Sequence, residues 1–453
     1  MNASPKLSRS WLQVSAKFLP FADAATDTLP LSRLLRLSLF QVSVGMALAM
    51  LIGTLNRVMI VELKVPAALV ATMIALPLLF APFRALIGYR SDHHRSALGW
   101  RRVPYIWLGT LLQFGGFAVM PFALLVLGRL GQAANAPDWV GHLGAGMAFL
   151  LVGAGMHTTQ TVGLALATDL SPPEARPKVV GLMYFMLLVG MILSALMFGF
   201  LLQDFSPGAL IRSIQGAAVL TLVLNVTALW KQEARTKRLG NPHEEDVDFV
   251  SALKLFTQGD QAMRRLFSVG VGTMAFSMGD VLLEPFGGEI LRLAVSETTL
   301  LTALLALGGL TGLAWASHVL SRGADPFRMA CSGAWVGVPA FMAILVSAPQ
   351  ASLLLFALGT LCIGFGAGLF GHGTLTATMN HAPSGQAGLA LGAWGAVQAT
   401  AAGLAMGLGG IIRDLMALVV DSGTAYASVY CLEVVLLLIT LLAMNPLIAS
   451  KTP

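Results

Sequence analysis

The sequence predicts an all-α membrane protein with twelve transmembrane helices, and two observations carry that prediction. Hydrophobic residues make up 56% of the 453-residue chain and charged residues only 11%, against roughly 25% charged in an ordinary soluble domain. The apolar residues are also gathered into about twelve runs, each near the roughly 20 residues a helix needs to cross a bilayer. No segment alternates persistently in polarity over about ten residues, which argues against a transmembrane barrel.

The elements follow in order. Residues 1–33 read as a cytoplasmic N-terminal segment. It lacks the continuous apolar stretch and small-residue cleavage site of a secretory signal. Trp11, Val14, Phe18 and Leu19 share a helical face near Arg9 and Lys17, the pattern of a helix lying on the membrane surface; a plain tail is the other reading. Residues 34–230 hold six spans, near 34–61, 66–89, 104–128, 140–168, 178–203 and 208–230. A polar linker, 231–262, opens with KQEARTKRLGNPHEEDVD. Residues 263–453 hold six more, near 263–284, 297–320, 327–347, 352–378, 386–412 and 424–448.

Orientation comes from charge, because Lys and Arg concentrate in cytoplasmic loops. Both termini inside places 22 of the 28 Lys and Arg on one face and leaves Arg57, Lys64, Arg129, Arg212, Arg292 and Arg413 on the other. The net charge of +6 therefore follows topology and is not the footprint of a nucleic-acid partner. Cys331, Cys362 and Cys431 lie in or beside apolar runs with no metal or haem spacing and read as packing residues.

Six spans, a linker and six spans suggest an internal duplication. Gly153-Ala-Gly155, His157 and Ser171-Pro172 in and after span four are echoed by Gly366-Ala-Gly368, His372 and Ala382-Pro383 around span ten, with a two-residue gap. Two related six-helix halves are the architecture of the major facilitator superfamily.

The loop after span two, GYRSDHHRSALGWRRVPY, concentrates charge between two apolar runs. Part of its job is topological. Gly88, Asp92, Arg95, Gly99, Arg101 and Arg102 also resemble the charge cluster at the cytoplasmic mouth of major facilitators, although His93 stands where a basic residue is usual. Asp169, at the cytoplasmic end of span four, fits the same cluster. Such a cluster latches one conformation, because a paired charge costs far less near lipid than an unpaired one.

PFADAATDTLPLSRLLRLSLFQVSVGMA, GTLNRVMIVEL, LPLLFAPFRALIGYRSD and SALGWRRVPYIWLGTLLQFGG resemble the PucC/LhaA family of phototrophic bacteria, the bacteriochlorophyll-delivery branch of the major facilitators. The resemblance spans the first half and, more loosely, the second. It implies an assembly factor for light-harvesting antenna complexes that binds bacteriochlorophyll or hands it to antenna α/β polypeptides. Pigment-synthesis enzymes are further implied partners, and the implied location is the bacterial inner or intracytoplasmic photosynthetic membrane.

Neutral imidazole is a good ligand for a chlorin magnesium. Of His157, His318, His372 and His381, the first and third are the candidate pigment ligands, because spans one, four, seven and ten face the central cavity in this architecture. His157 has Thr158, Thr159, Gln160 and Thr161 beside it, and His372 lies between Gly371 and Gly373, which would admit a flat macrocycle. A histidine hydrogen-bonded to a neighbouring helix is the plainer alternative for each. Arg57 of span one and Asp280 of span seven would face each other and pair, as an outer gate or a structural tie; Glu284 is the third intramembrane charge.

Gly308-x-x-x-Gly312, Gly364-x-x-x-Gly368 and Gly403-x-x-x-Gly407 permit close helix contacts. An enzyme is not expected: the chain has no Walker A pattern and no CxxCH, and its one Asp-x-x-x-Asp pair, Asp23 and Asp27, lies in the N-terminal segment ahead of the spans. Two further functions compete with the antenna reading. One is a proton-coupled facilitator of a small amphiphile, which would want a carboxylate deep in the cavity. The other is a non-transporting scaffold for antenna subunits.

Overall fold

A computed structural model describes residues 29–79, 84, 87, 90, 91, 99–172, 175–234, 261–320, 322–380 and 387–448. The predicted surface helix, most of the linker, and Gly88, Asp92, Arg95 and His381 lie outside the described residues. Every regular element described is helical. Among these residues, ten helices are long and apolar enough to cross a membrane.

The helices are α1 (Leu31–Glu62), α2 (Ala67–Leu79), α3 (Val103–Leu127), α4 (Asp138–Asp169), α5 (Arg176–Leu201) and α6 (Pro207–Leu229). They continue as α7 (Ala262–Ser277), α8 (Leu283–Glu289), α9 (Val295–Leu320), α10 (Pro326–Ser347), α11 (Leu353–Asn380), α12 (Ala387–Ala417) and α13 (Ser422–Met444). Three of the starts carry side-chain caps. Ser206 accepts from Ala209 N at 3.1 Å, Asp325 from Phe327 N at 2.7 Å and Asp421 from Thr424 N at 3.0 Å, each satisfying an orphan donor of a first turn.

The second predicted span is helical at its described residues from Ala67 on, Ala67–Leu79, Arg84, Ile87, Arg90 and Ser91. One predicted span is interrupted. The seventh runs past its expected end to Glu289 but breaks over 278–282, between α7 and α8. A break inside a bilayer frees backbone groups that lipid cannot satisfy, and two buried side chains take them up. Asn56 of α1 donates to the Val281 carbonyl at 2.5 Å, and Glu433 of α13 accepts from Gly279 N at 2.5 Å.

Glycine stripes set the tightest packing. Two of the predicted small-residue motifs meet across one interface: Gly308 and Gly312 of α9 lie against the Leu361 and Phe365 backbone, while Gly364 and Gly368 of α11 lie against Leu305 and Gly309. Any Cβ there would fall onto a carbonyl of the facing helix, so these glycines serve close approach. Gly407 of the third motif instead points α12 toward Ala75 of α2. Helix α2 runs along α12, and α5 along α9.

Polar contacts are distributed unequally between the two ends. At one end, α1 is tied to α9 and to the segments flanking α8, and α2 to α12, by Thr54–Thr299 (3.3 Å), Asn56–Val281, Arg57–Leu293 (3.1 Å) and Ala68 N–Asp414 (2.6 Å). At the opposite end the first six helices and their flanks are tied to one another by Arg33–Gln232 (3.0 Å) and by the Arg101, Arg102, Asp169 and Glu233 group.

Candidate functional site

Of the predicted mouth cluster, the described residues Gly99, Arg101, Arg102 and Asp169 come together where α3 starts and α4 ends. Gly99 is left-handed (φ +80°), a conformation glycine adopts without strain, and turns the chain into α3. Arg101 and Arg102 then reach the same Asp169 oxygen, at 2.7 and 3.0 Å. Arg102 is buried and also donates to Ser91 Oγ at 2.6 Å. Glu233, which sequence reasoning left in the linker, completes the group. Its carboxylate accepts the backbone N–H groups of Arg101, Arg102 and Val103 at 2.8, 3.0 and 2.9 Å, so it caps α3 from a distance in sequence no local pattern reveals.

Arg57 does not pair with Asp280. The structure corrects that expectation: Arg57 bonds Glu62, one turn further along α1, and the Leu293 carbonyl. The π-helical turns of α1 at Ala49–Leu55 and Val58–Glu62 change which residues share a face, so a straight-helix wheel misplaces Arg57. Asp280 sits in the break instead, in the electrostatic neighbourhood of Tyr430 and Glu433. Glu284 is buried and accepts from Thr302 Oγ1.

Glu433 was not singled out by sequence reasoning, though a lone acid at the centre of the last apolar run was the available signal. It is fully buried, about 16 Å from either end of α13 at 1.5 Å per residue. One oxygen caps Gly279; the other, and the buried Tyr430 hydroxyl, have no partner among the described residues. Glu289 and Arg413 were likewise missed as a pair. They bond at 2.7 Å, with Tyr426 donating to Glu289 at 2.9 Å and Ser422 bonding both.

The two predicted pigment ligands part company. His157 is 92% buried by its 8% exposure, and neither ring nitrogen has a partner among the described residues. It lies about 18 Å from the C-terminal end of α4. His372 is only partly buried. Its flanking Gly373 is pressed on α10, where a Cβ would lie 2.7 Å from Ala330 N. Only Gly371 is open, with nothing near its Cβ direction, so the expected two-glycine slot for a macrocycle is absent. The two histidines are also not equivalent. Gly155 packs on Gly109 and Gln113 of α3, as Gly366 packs on Gly333 and Gly337 of α10. That register sets His157 level with Gly368, and His372 level with Thr161.

Arg84 is a further intramembrane cation, hidden in the run LPLLFAPFRALIG. It donates to Thr161 Oγ1 and Gln160 Oε1, both at 2.9 Å, one turn from His157 on α4.

Apolar helices in this number define a multi-pass membrane protein, and its fold is shared with solved transporters. A bacterial homolog of the human lysosomal transporter Spinster, in an inward-facing conformation, matches with a TM-score of 0.65 over 93% of this chain and 98% of its own, at 15% identity. The E. coli xylose transporter XylE, inward open, gives 0.67 over 92% and 99%, at 14% identity. The chain belongs to the PUCC protein family, whose model matches residues 54–452. It is 64% identical over 404 residues to Protein PucC of Rhodovulum sulfidophilum, covering 88% of this chain and 89% of that protein. With Protein PucC of Cereibacter sphaeroides it shares 54% identity over 450 residues, 98% of each.

Proposed function

We propose that this protein is an assembly factor for bacterial light-harvesting antenna complexes, a twelve-span facilitator that binds bacteriochlorophyll and delivers it to antenna α/β polypeptides. The observation that carries the reading is His157. A buried imidazole with two unsatisfied nitrogens costs about 1–3 kcal/mol, which a ligand metal would offset. Family membership supports the antenna context.

Twelve spans require α2 to continue through Ser91 and α7 with α8 to act as one. Two related halves are supported by recurring left-handed residues at helix ends: Lys64 and Arg292 after the first and seventh spans, Arg129 and Ala351 after the third and ninth. In this reading both termini are cytoplasmic, the membrane is the photosynthetic intracytoplasmic one, antenna polypeptides and pigment-synthesis enzymes are the partners, and no reaction is catalysed.

The experiment is an absorbance spectrum of the protein purified in mild detergent from a pigment-making host. Stoichiometric bacteriochlorophyll, lost in His157→Phe and retained in His372→Phe, is the expected result. Antenna polypeptides without pigment on the protein itself would favour a scaffold. One observation favours a second reading, proton-coupled movement of a small amphiphile: Glu433 supplies the deep carboxylate that such coupling needs.

A further inference from the structure

Arg84 and His157 form a compact arrangement whose chemistry nothing so far uses. His157, Gln160 and Thr161 fall at i, i+3 and i+4 and so share one face of α4. Gly153, one turn earlier, receives the Pro77 ring of α2, which fixes that face against the second span. Arg84, two turns beyond Pro77, is held by the Gln160 and Thr161 oxygens through Nε and one terminal nitrogen. Both are neutral acceptors. No carboxylate pairs with Arg84 among the described residues. Its electrostatic neighbours are the Tyr184 hydroxyl and His157 itself.

A guanidinium in a membrane interior without a counter-charge is costly and marks a ligand path. Gln160 and Thr161 orient the fork and leave its other terminal nitrogen without a partner among the described residues, while both imidazole nitrogens one turn away are also unpartnered. We propose that Arg84 and His157 form an anion site in the α2–α4 seam, which takes the carboxylate of an amphiphile whose apolar body lies along the helices. This goes beyond the pigment reading, because it holds for any amphiphilic carboxylate. Two sources share the chemistry: the free propionate of a metallated chlorin, whose metal His157 would then face, and a fatty acid.

The test uses the full chain in lipid nanodiscs at neutral pH. Zinc pheophorbide a and its methyl ester form one pair of probes; dansyl-undecanoic acid and its methyl ester form the other. Each is titrated into wild type and Arg84→Gln by tryptophan quenching, and the acid-to-ester affinity ratios are compared, so that partition into lipid cancels. A charge-assisted bidentate contact predicts a wild-type ratio about tenfold or more above that of Arg84→Gln in at least one pair. Gln160→Glu, which hands Arg84 an internal carboxylate, is expected to erase the preference as well, and serves if Arg84→Gln does not fold.

A preference confined to the chlorin pair that His157→Phe also weakens assigns the propionate source. A preference confined to the dansyl pair leaves the anion site standing and assigns the fatty-acid source, while the pigment reading is decided separately by the copurified pigment and its loss in His157→Phe. Equal ratios in wild type and variants for both pairs overturn the proposal.

Discussion

The buried polar groups of the first six helices and those of the last six are opposites. In the first set a cation, Arg84, and an imidazole, His157, sit in the α2–α4 seam, with neutral oxygens orienting the guanidinium. In the second set three carboxylates, Asp280, Glu284 and Glu433, gather around the break between α7 and α8. One of these acids has a structural task that the cation lacks: Glu433 caps Gly279, while the amide of Asn56 covers Val281 from the other side. The break would otherwise expose backbone to lipid. Arg84 caps nothing, and its retention stabilises no helix end. The difference teaches that burial of charge alone does not mark function; burial without a backbone to satisfy does.

The largest effect that tests this contrast is at the break. Glu433→Leu removes the acceptor for Gly279 N and is expected to cost about 1–3 kcal/mol, read as a fall in melting temperature by scanning fluorimetry. Glu433→Gln keeps the acceptor and should lose less than half as much. An equal loss in both would mean that the charge matters there, and the contrast with Arg84 would dissolve. Asn56→Ala follows, at about 1–2 kcal/mol for the orphaned Val281 carbonyl.

Arg84→Leu is expected to leave the ligand-free protein as stable as wild type or more so, because replacing a partly buried cation that has no counter-charge among the described residues by an apolar side chain removes a desolvation cost. A loss of more than about 2 kcal/mol in that variant would make Arg84 a structural residue. The smallest effect concerns the outer end. A double-mutant cycle should find Arg57 and Glu62 coupled by about 0.5–1 kcal/mol, and Arg57 and Asp280 additive within about 0.5 kcal/mol. Coupling to Asp280 instead would restore the predicted gate pair and tie the acidic break directly to the outer closure.

The sequence by itself determined the long apolar helices and the grouping of Arg101, Arg102 and Asp169. Lipid is a uniform solvent, so each apolar run reports its own crossing whatever its neighbours do, and Arg101, Arg102 and Asp169 stand at helix ends where charge has few other places to go. The glycine motifs of α9 and α11 were legible as close-contact sites for the same reason, although not as partners of each other. Only the tertiary structure decided which interior groups meet. Pairing depends on helix rotation and register, and local events reset both: π turns carried Arg57 to Glu62, the break at 278–282 drew Glu433 to Gly279, and the packing of Gly155 and Gly366 set His157 and His372 at different levels. A single span's sequence does not contain its angle to the next, so Arg84 beside His157 emerged only once α2 was laid against α4.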